Sequence, residues 1–296
     1  MESQASRLIA DYKYYLKIER QMSPNTVASY SGDIEAFFES CGLRPSEVTT
    51  EDVEKYVADR SEEVSKRSQA RLLSALRSFF DYLQIEKERE DNPCENVRAP
   101  KLGRYLPQVL SVEEVGSIID SVQGTDASSV RDRAILEMLY GCGLRVSELC
   151  GLLISHVYLE EGFVRVVGKG DKERLVPLGG MAAEAFASWL EVRPDSERYP
   201  DVAFLNRFGT PLSRVSVFTM VKKQALLAGV TKEISPHTFR HSFATHMIEN
   251  GADLRIVQEM LGHENILTTE IYTHVDQATW QEAVLDHHPR RHQGGR

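Results

Sequence analysis

The chain has 296 residues, enough for about two domains at roughly 150 residues each. Hydrophobic residues make up 42% and charged residues 27%, as is ordinary for a globular protein. Charged residues interrupt the first 16 positions, and no later stretch is apolar for long enough to cross a bilayer, so neither a signal peptide nor membrane insertion is expected. The net charge of −9 argues against a nucleic-acid partner but does not exclude one, because DNA binding needs only a basic face.

Four cysteines are scattered along the chain, at Cys41, Cys94, Cys142 and Cys150. They contain no C-x-x-C pair, and nothing in their spacing predicts a disulfide framework. We interpret them as buried, unreactive thiols of a protein in a reducing, cytoplasmic compartment.

The first hundred residues predict an all-helical domain. Apolar residues recur at helical spacing over 3–20. Ser23 followed by proline predicts an N-cap with proline at the first helical position, and this helix is expected to run until Gly42 ends it. A third helix is expected to begin at Thr49 or Thr50.

The fourth predicted helix is basic. Residues 65–80 contain no acid and four cations, Lys66, Arg67, Arg71 and Arg77. Because these side chains fall outside the apolar stripe of the helix, we predict that they are free to meet solvent or a phosphate chain. All four are therefore predicted DNA contacts.

A break in the helical pattern predicts a linker at 101–110. Prolines and a glycine surround Lys101 and Arg104 there, which we also predict to contact DNA. A linker that crosses DNA between the two halves of a clamp would be basic and rich in proline and glycine in this way. Any exposed linker could have the same composition. The domains are therefore predicted as 1–100 and 111–296.

The second domain is predicted to be mostly helical with one β-hairpin. Ser111 is expected to cap its first helix, and a glycine turn at 141–143 leads into a helix that starts near Arg145. Alternating β-formers over 163–178 predict a hairpin with Lys169 at its tip. Further helices are predicted at 182–190, 215–227, 236–248 and 254–261.

Five short segments carry residues suited to chemistry. They are G-L-R-V-S-E-L with Arg145, G-K-G-D-K-E-R with Lys169, H-T-F-R-H with His237 and Arg240, L-G-H with His263, and I-Y-T-H-V with Tyr272. Taken alone, each has a simpler explanation. Arg145 and Glu148 have the spacing of a local helix ion pair, and Tyr272 lies on an amphipathic segment that core packing alone explains.

Together, these residues match what cleavage of a phosphodiester requires. The transition state gathers negative charge on the non-bridging oxygens, and Arg145 and Arg240 can supply planar guanidinium groups that fit two of them. Tyrosine is a poor nucleophile at its ordinary pKa of about 10, so His237 is a candidate to accept its proton. Lys169 can protonate the departing 5′-oxygen, and His263 can hydrogen-bond the remaining phosphate oxygen.

These segments resemble the tyrosine recombinases, and within them the bacterial Xer proteins. The likeness is carried by V-V-G-K-G-D-K-E-R-L-V-P-L and S-P-H-T-F-R-H-S-F-A-T-H together with the segments around Arg145, His263 and Tyr272, all in the family's order. It covers nearly the whole chain, because the N-terminal helices resemble the family's SAM-like core-binding domain. The resemblance implies a mainly α fold: an all-α core-binding domain, then a mostly α catalytic domain with a small antiparallel β-sheet.

The resemblance also implies a role for each site residue. The implied catalytic set is Arg145, Lys169, His237, Arg240, His263 and Tyr272. Tyr272 is the implied nucleophile, Lys169 the general acid and His237 a proton acceptor, while Glu148 orients the site. The family leaves a 3′-phosphotyrosine and a free 5′-hydroxyl, and the hydroxyl of a partner strand reverses the step. Neither ATP, nor a metal, nor another cofactor is therefore expected.

Expected partners follow from the same resemblance. The chain is expected to bind a double-stranded DNA recombination site as a tetramer, formed alone or with a second recombinase, and to resolve chromosome dimers at the nucleoid. A septal DNA translocase is a further candidate partner. The tail from Asp286 to Arg290 resembles the Xer C-terminus, whose last helix docks into a neighbouring protomer, and 291–296 have no assigned role.

Four alternatives remain open. A mobile-element integrase often carries an additional arm-type domain, for which helices that start near Met1 leave no room, but some transposon recombinases are equally short. A type IB topoisomerase shares the chemistry without the Xer-like segments and tail. A non-catalytic DNA-binding protein would not need all six catalytic positions filled. A zinc hydrolase would need an acidic ligand paired with the histidines, and no H-E-x-x-H occurs.

Overall fold

The computed structural model describes residues 4–101, 108–168, 172–262 and 286–288. The chain divides into two compact units, Met1–Tyr105 and Leu106–Arg296, and each has its own buried core. The division falls inside the segment that the sequence predicts as a linker. No helix among the described residues is long and apolar enough to cross a membrane.

The first unit is built from helices whose ends follow local sequence signals. They are α1 (Gln4–Ile18), α2 (Pro24–Cys41), α3 (Thr50–Asp59) and α4 (Lys66–Ile85), with a 3₁₀ turn at Arg60–Glu62. The Ser23 hydroxyl caps α2 by accepting from the backbone N–H of Thr26, and Gly42 ends this helix in the left-handed region at φ 64°. Thr49 caps α3 in a capping box with Asp52.

Aromatic side chains from three of these helices meet in the core of the first unit. Phe79 of α4 is fully buried and makes edge contacts with Tyr12 of α1 at 5.3 Å and with Phe38 of α2 at 5.7 Å between ring centroids. Each large side chain buried in this way stabilises the fold by about 1.5–3 kcal/mol. Packing of the amphipathic faces, more than helix propensity, therefore holds the unit together.

Arg77 is a structural residue of the first unit. Its guanidinium donates hydrogen bonds to the carbonyl of Cys94 at 3.1 and 3.3 Å and to the carbonyl of Val97 at 3.0 Å. These bonds tie the segment after α4 back onto the helix. Arg77 is therefore not a free surface cation, because the periodicity of a helix does not show which later segment folds back on it, while its contact with DNA stays a prediction.

The other predicted DNA contacts of this region remain at the surface where they are described. Arg71 is exposed, but it holds Asp33 through two hydrogen bonds of 2.9 Å, so its charge is already paired within the unit. Lys66, Arg67 and Lys101 are exposed. Arg104 lies outside the described residues.

The second unit combines helices with one small sheet. Its helices are α5 (Val112–Asp120), α6 (Ala127–Gly141), α7 (Val146–Cys150), α8 (Gly180–Val192), α9 (Arg214–Leu227), α10 (Pro236–Glu249) and α11 (Leu254–Leu261). Its strands are β1 (Val157–Tyr158), β2 (Phe163–Val167) and β3 (Glu173–Pro177). Within the described residues they form an antiparallel sheet in the order β1-β2-β3, in which Val164 pairs with Val157 and with Val176. The mainly α fold with a small antiparallel sheet is confirmed.

The second unit includes residues that the sequence places in the linker. Ser111 caps α5, as predicted. Leu110 just before it is fully buried, and its backbone N–H donates to the Ser242 hydroxyl of α10 at 2.9 Å. The side chain of Gln108 accepts a hydrogen bond of 3.0 Å from the backbone of this unit. Residues 108–110 therefore pack with the second unit rather than forming a free linker.

A glycine turn joins α6 to α7 and lies against α10. Gly143 has a φ of 57°, and a Cβ at this position would lie 2.5 Å from the ring of Phe243. Glycine is required here both by the left-handed conformation and by the close approach. The turn fixes the start of α7, where Arg145 is the N-cap residue.

The cysteines are free thiols, as the sequence predicts, but only two of the four are buried, since Cys41 and Cys150 are partly exposed. Cys94 and Cys142 are fully buried, and burial raises the pKa of each to about 12. Burial also raises the pKa of the half-buried Cys150 to about 11. These three thiols therefore stay protonated at neutral pH and are poor nucleophiles, which leaves them out of the candidate chemistry.

Candidate active site

The centre of the site is the C-terminal end of α11. A helix leaves its last carbonyls without partners inside the helix, and its dipole makes this end negative. Three successive carbonyls here each accept from a different arginine: Met260 from Nε of Arg174 at 2.6 Å, Leu261 from Arg240, and Gly262 from Arg145 at 3.3 Å. The helix end therefore gathers three guanidinium groups that come from β3, α10 and the start of α7.

Glu148 of α7 is the counter-charge of this cluster. Its carboxylate accepts two hydrogen bonds of 2.9 Å from Arg174 and one of 2.8 Å from the guanidinium of Arg145. It also accepts from the backbone N–H of Arg145 at 2.8 Å. Burial raises the pKa of Glu148, but the hydrogen bonds and charge of Arg174, followed by those of Arg145, outweigh it and hold the pKa below its usual range. Glu148 is therefore ionised at neutral pH.

The three arginines differ in exposure. The side chain of Arg174 is 6% exposed and that of Arg240 is 11% exposed, whereas that of Arg145 is 36% exposed. Arg145 is therefore the most accessible of the three to a substrate. Arg174 is enclosed, and it hydrogen-bonds Glu148 and the Met260 carbonyl.

Arg240 is held by backbone carbonyls. Besides Leu261, its guanidinium donates to the carbonyl of Gly143 at 2.6 Å, and it lies 3.8 Å from the carboxylate of Glu148. Burial, and next the positive charge of Arg145, lower the pKa of Arg240 to about 9, although Glu148 opposes the shift. The side chain is still protonated at neutral pH, in a place where further negative charge would be favourable.

The cluster suits an anion. Three positive charges and one negative charge leave a formal charge of +2 around Glu148. Like charges that are partly buried repel one another, and an anion between Arg145 and Arg240 relieves that repulsion. Planar guanidinium groups match pairs of phosphate oxygens. The arrangement can therefore bind a phosphodiester and stabilise extra negative charge on it.

His237 lies on the same helix as Arg240. It lies in the first turn of α10, three residues before Arg240, and it is exposed. Residues at this spacing are neighbours on a helix surface. His246 has a different role, because it is buried and its Nδ1 shares a hydrogen bond of 2.8 Å with the Tyr140 hydroxyl. Within the described residues, no group of three His, Cys, Asp or Glu side chains is placed to hold a metal ion.

Three of the predicted catalytic residues lie outside the described residues, namely Lys169, His263 and Tyr272. The structure does describe the residue that precedes two of them. The N–H of Gly168 donates to the carbonyl of Lys172 at 2.8 Å and so closes the β2–β3 hairpin, while Gly262 ends α11 at φ 64°. Of the predicted set, the structure brings Arg145 and Arg240 to one helix end.

Arg174 is the site residue that the sequence analysis missed. A signal was present, because the alternation of β3 puts Arg174 on the same face as the buried Val176, and a charged residue on a buried face needs a partner. The partners themselves do not follow from the pattern. Glu148 is 26 residues away along the chain and Met260 is 86 residues away.

The described part of the C-terminal tail packs on the second unit of the same chain. The side chain of Asn250 donates to the His287 carbonyl at 2.8 Å, and His287 Nδ1 shares a hydrogen bond of 2.7 Å with the Asn250 carbonyl. His288 is buried, with its ring centroid 5.6 Å from those of Tyr140 and Phe243. The residues that follow, 289–296, lie outside the described residues.

Both units match models of one protein family. Residues 9–87 match the phage integrase N-terminal SAM-like domain, and residues 108–279 match the phage integrase family. The tyrosine recombinase XerD of Chlorobaculum tepidum is 46% identical over 286 residues, which cover 93% of this chain and 94% of that protein. XerD of Halalkalibacterium halodurans is 41% identical, over 95% of this chain and 97% of that protein.

The chain therefore belongs to the phage integrase family. It is a tyrosine recombinase, an enzyme that cuts and rejoins DNA strands, and the resemblance to Xer proteins seen in the sequence is confirmed.

Solved structures agree with the fold. The XerA recombinase is 31% identical with a TM-score of 0.51, over 97% of this chain and 100% of that one. The XerH recombinase bound to a palindromic difH substrate is 24% identical with a TM-score of 0.69, over 93% of this chain and 83% of that one. Lambda integrase bound to DNA is 20% identical with a TM-score of 0.71, over 91% of this chain and 95% of that one. At these identities the last two show a likeness of fold alone.

Proposed function

We propose that this recombinase acts at a specific chromosomal site and resolves chromosome dimers. The proposal is supported by curated relatives that carry the name XerD and are 38–46% identical over nearly the whole chain. The structural observation that carries the catalytic part is the cluster of arginines on the end of α11. It supplies a fixed, positively charged cradle for one phosphodiester.

In the proposed reaction, the hydroxyl oxygen of Tyr272 attacks phosphorus and the bond from phosphorus to the 5′-oxygen breaks. His237 accepts the tyrosine proton and Lys169 gives a proton to the departing oxygen. The products are a 3′-phosphotyrosine and a free 5′-hydroxyl. The hydroxyl of a partner strand then attacks the phosphotyrosine and reverses the step. One phosphoester replaces another, so the balance needs neither ATP, nor a metal, nor another cofactor.

Arg145 and Arg240 are proposed to stabilise the charge that develops on the non-bridging oxygens. Donors that are fixed before the reaction lower its barrier most, because nothing has to reorganise in the transition state. Glu148 keeps Arg145 in place through both its backbone and its guanidinium. His263 directly follows Gly262 and is proposed to donate to the remaining phosphate oxygen.

We further propose that the first unit is the core-binding half of a DNA clamp and the second its catalytic half. The active assembly on DNA is a tetramer, of this chain alone or with a second recombinase, because exchange between two duplexes requires four cleavages. Residues 286–288 pack on their own chain, so it is the tail beyond them that docks into a neighbouring protomer there. A septal DNA translocase activates the assembly, which works in the cytoplasm at the nucleoid.

The proposed chemistry is tested by covalent trapping on a nicked suicide duplex that carries a chromosomal recombination site. In the presence of a chelator, the wild-type chain should form a protein–DNA adduct that survives denaturation, with the DNA on Tyr272 by peptide mapping. Tyr272→Phe is the matched control, because it keeps the ring and lacks the hydroxyl. An adduct that persists in this variant means that another residue is the nucleophile. Tight binding by the wild type without an adduct contradicts cleavage by this chain.

Replacing Lys66 and Arg67 together with alanine should weaken duplex binding and flatten its salt dependence. Both residues are exposed on the first turn of α4. Each lost phosphate contact should lower the slope of log affinity against log salt by about 0.9, so the pair should lower it by about 1.8. The measurement is a titration at several salt concentrations, with the exposed Arg7→Ala of α1 as control. An unchanged slope would remove these two residues from the DNA interface.

A further inference from the structure

Arg174 holds one of the proposed site residues and lies near the backbone that leads to two others. It holds both oxygens of Glu148, which in turn holds Arg145. A Cβ built on Gly262 would lie 3.3 Å from its Cδ and 3.5 Å from its Nε, and one built on Gly168 would lie 3.7 Å from its Nη1. Gly168 and Gly262 are the residues directly before Lys169 and His263. One side chain therefore lies close to the segments that lead to Lys169 and His263, and it is linked to Arg145 through Glu148.

The chemistry of the arginine suits this position. Nε donates to the Met260 carbonyl while Nη1 and Nη2 each donate to one oxygen of Glu148, so a single planar group spans β3, α7 and the end of α11. The plane of a guanidinium fixes these donors relative to one another, which a lysine cannot do. The side chain is enclosed, so any effect on the reaction must pass through the groups it holds.

We infer that Arg174 is a positioning residue for strand cleavage. It sets the register between the hairpin that carries Lys169, the start of α7 with Arg145, and the helix end that leads to His263. The inference rests on the catalytic roles proposed above. A displacement of reacting groups by about 1 Å lowers a rate about 100-fold, so a small shift at Arg174 has a large effect on cleavage.

The test compares Arg174→Lys with wild type on two suicide duplexes. On the ordinary duplex, single-turnover cleavage should fall about 100-fold while duplex affinity stays unchanged. On a duplex with a 5′-bridging phosphorothiolate, whose sulfur leaves without a proton, the loss should shrink to about 10-fold, because an ill-placed Lys169 no longer matters. Lys169→Ala in the same assay shows how much cleavage the phosphorothiolate restores when the general acid is absent altogether.

Arg193→Lys is the matched control. Arg193 also binds backbone carbonyls of the second unit, including those of Tyr199, Pro200 and Val202. It has no contact with the arginine cluster in the described residues. This variant should lower the thermal midpoint of unfolding and leave cleavage by the folded protein unchanged on both duplexes. If Arg174→Lys does not fold, Arg174→Gln takes its place.

Equal losses for Arg174→Lys on the two duplexes, or no loss on either, overturn the inference. If the phosphorothiolate does not rescue Lys169→Ala, Lys169 is not the general acid. In that case only the ordinary duplex tests Arg174. If Arg174→Lys then lowers the cleavage rate no more than Arg193→Lys does, the positioning role is overturned. Failure of the proposed function looks different, because the wild-type chain itself then forms no adduct.

Discussion

Arg240→Gln should lower the rate of strand cleavage by about 10²- to 10³-fold while duplex affinity changes little. The guanidinium is fixed by the carbonyls of Gly143 and Leu261 and carries a charge that no neighbouring group fully balances. Glutamine retains a donor for one of these carbonyls but brings no charge to the phosphate. Single-turnover cleavage and a gel-shift titration on the same duplex separate the two effects.

A neutral substrate provides the control for Arg240. In a methylphosphonate one non-bridging oxygen becomes a methyl group, so less negative charge develops in the transition state and the arginine has less to stabilise. The loss caused by Arg240→Gln should therefore be smaller on this duplex. Arg133→Gln is the matched variant, since Arg133 is a surface arginine of α6 paired with Asp120 at 2.6 Å. An equal loss on both duplexes would show that Arg240 does not act on phosphate charge.

Removing the carboxylate of Glu148 should destabilise the second unit by about 3–5 kcal/mol, as expected when one partner of a buried ion pair is lost. Glu148→Ala leaves three arginines close together without a counter-charge. The free energy of unfolding, measured with urea, reports the loss. Sulfate should restore part of it, and more than sodium chloride does at equal ionic strength, because an anion that binds the folded cluster stabilises it. A change below about 1 kcal/mol would contradict this view of the cluster.

Glu148→Gln isolates the charge, because it keeps the size and one oxygen acceptor. The pKa of Glu148 is lowered in the folded state, so the stabilisation by its carboxylate is fully present above the ordinary glutamate pKa of about 4.3. It is lost as the pH falls through the lower, folded-state pKa. The wild type should therefore have a larger free energy of unfolding than Glu148→Gln near neutral pH, and this difference should disappear in acid. A difference that widens in acid would contradict the assignment.

Local features of the fold could be predicted from the sequence because they depend on neighbouring residues. Ser23 and Ser111 cap helices where their side chains reach the next turn, and Gly42 ends α2 where a left-handed residue is needed. The β-hairpin follows from alternation, and its pairing is set by the short connection between β2 and β3. Arg145 and Arg240 were found because their types fit phosphate chemistry.

Contacts between distant segments could not be predicted in this way. The partners of Arg174 come from two other elements, and those of Arg77 from a segment that folds back after its helix. In both cases the sequence shows a charged residue but not what it meets. Burial of Leu110 against α10 is a third example, since the flanking prolines suggest a free linker. Contacts with residues distant in sequence decide whether such a charged side chain stabilises the fold or binds the substrate.

The three arginines hold backbone atoms of α11, and this affects how the enzyme can change during evolution. A backbone carbonyl can accept the same hydrogen bond whatever the side chain of its residue. Met260 and Leu261 can therefore be replaced by other apolar residues without moving the guanidinium groups of Arg174 and Arg240. The length of the helix is far less free. Inserting or deleting one residue would turn the terminal carbonyls by about 100° and point them away from their arginines. Divergent sequences can therefore keep the same cation geometry as long as this helix keeps its residue count.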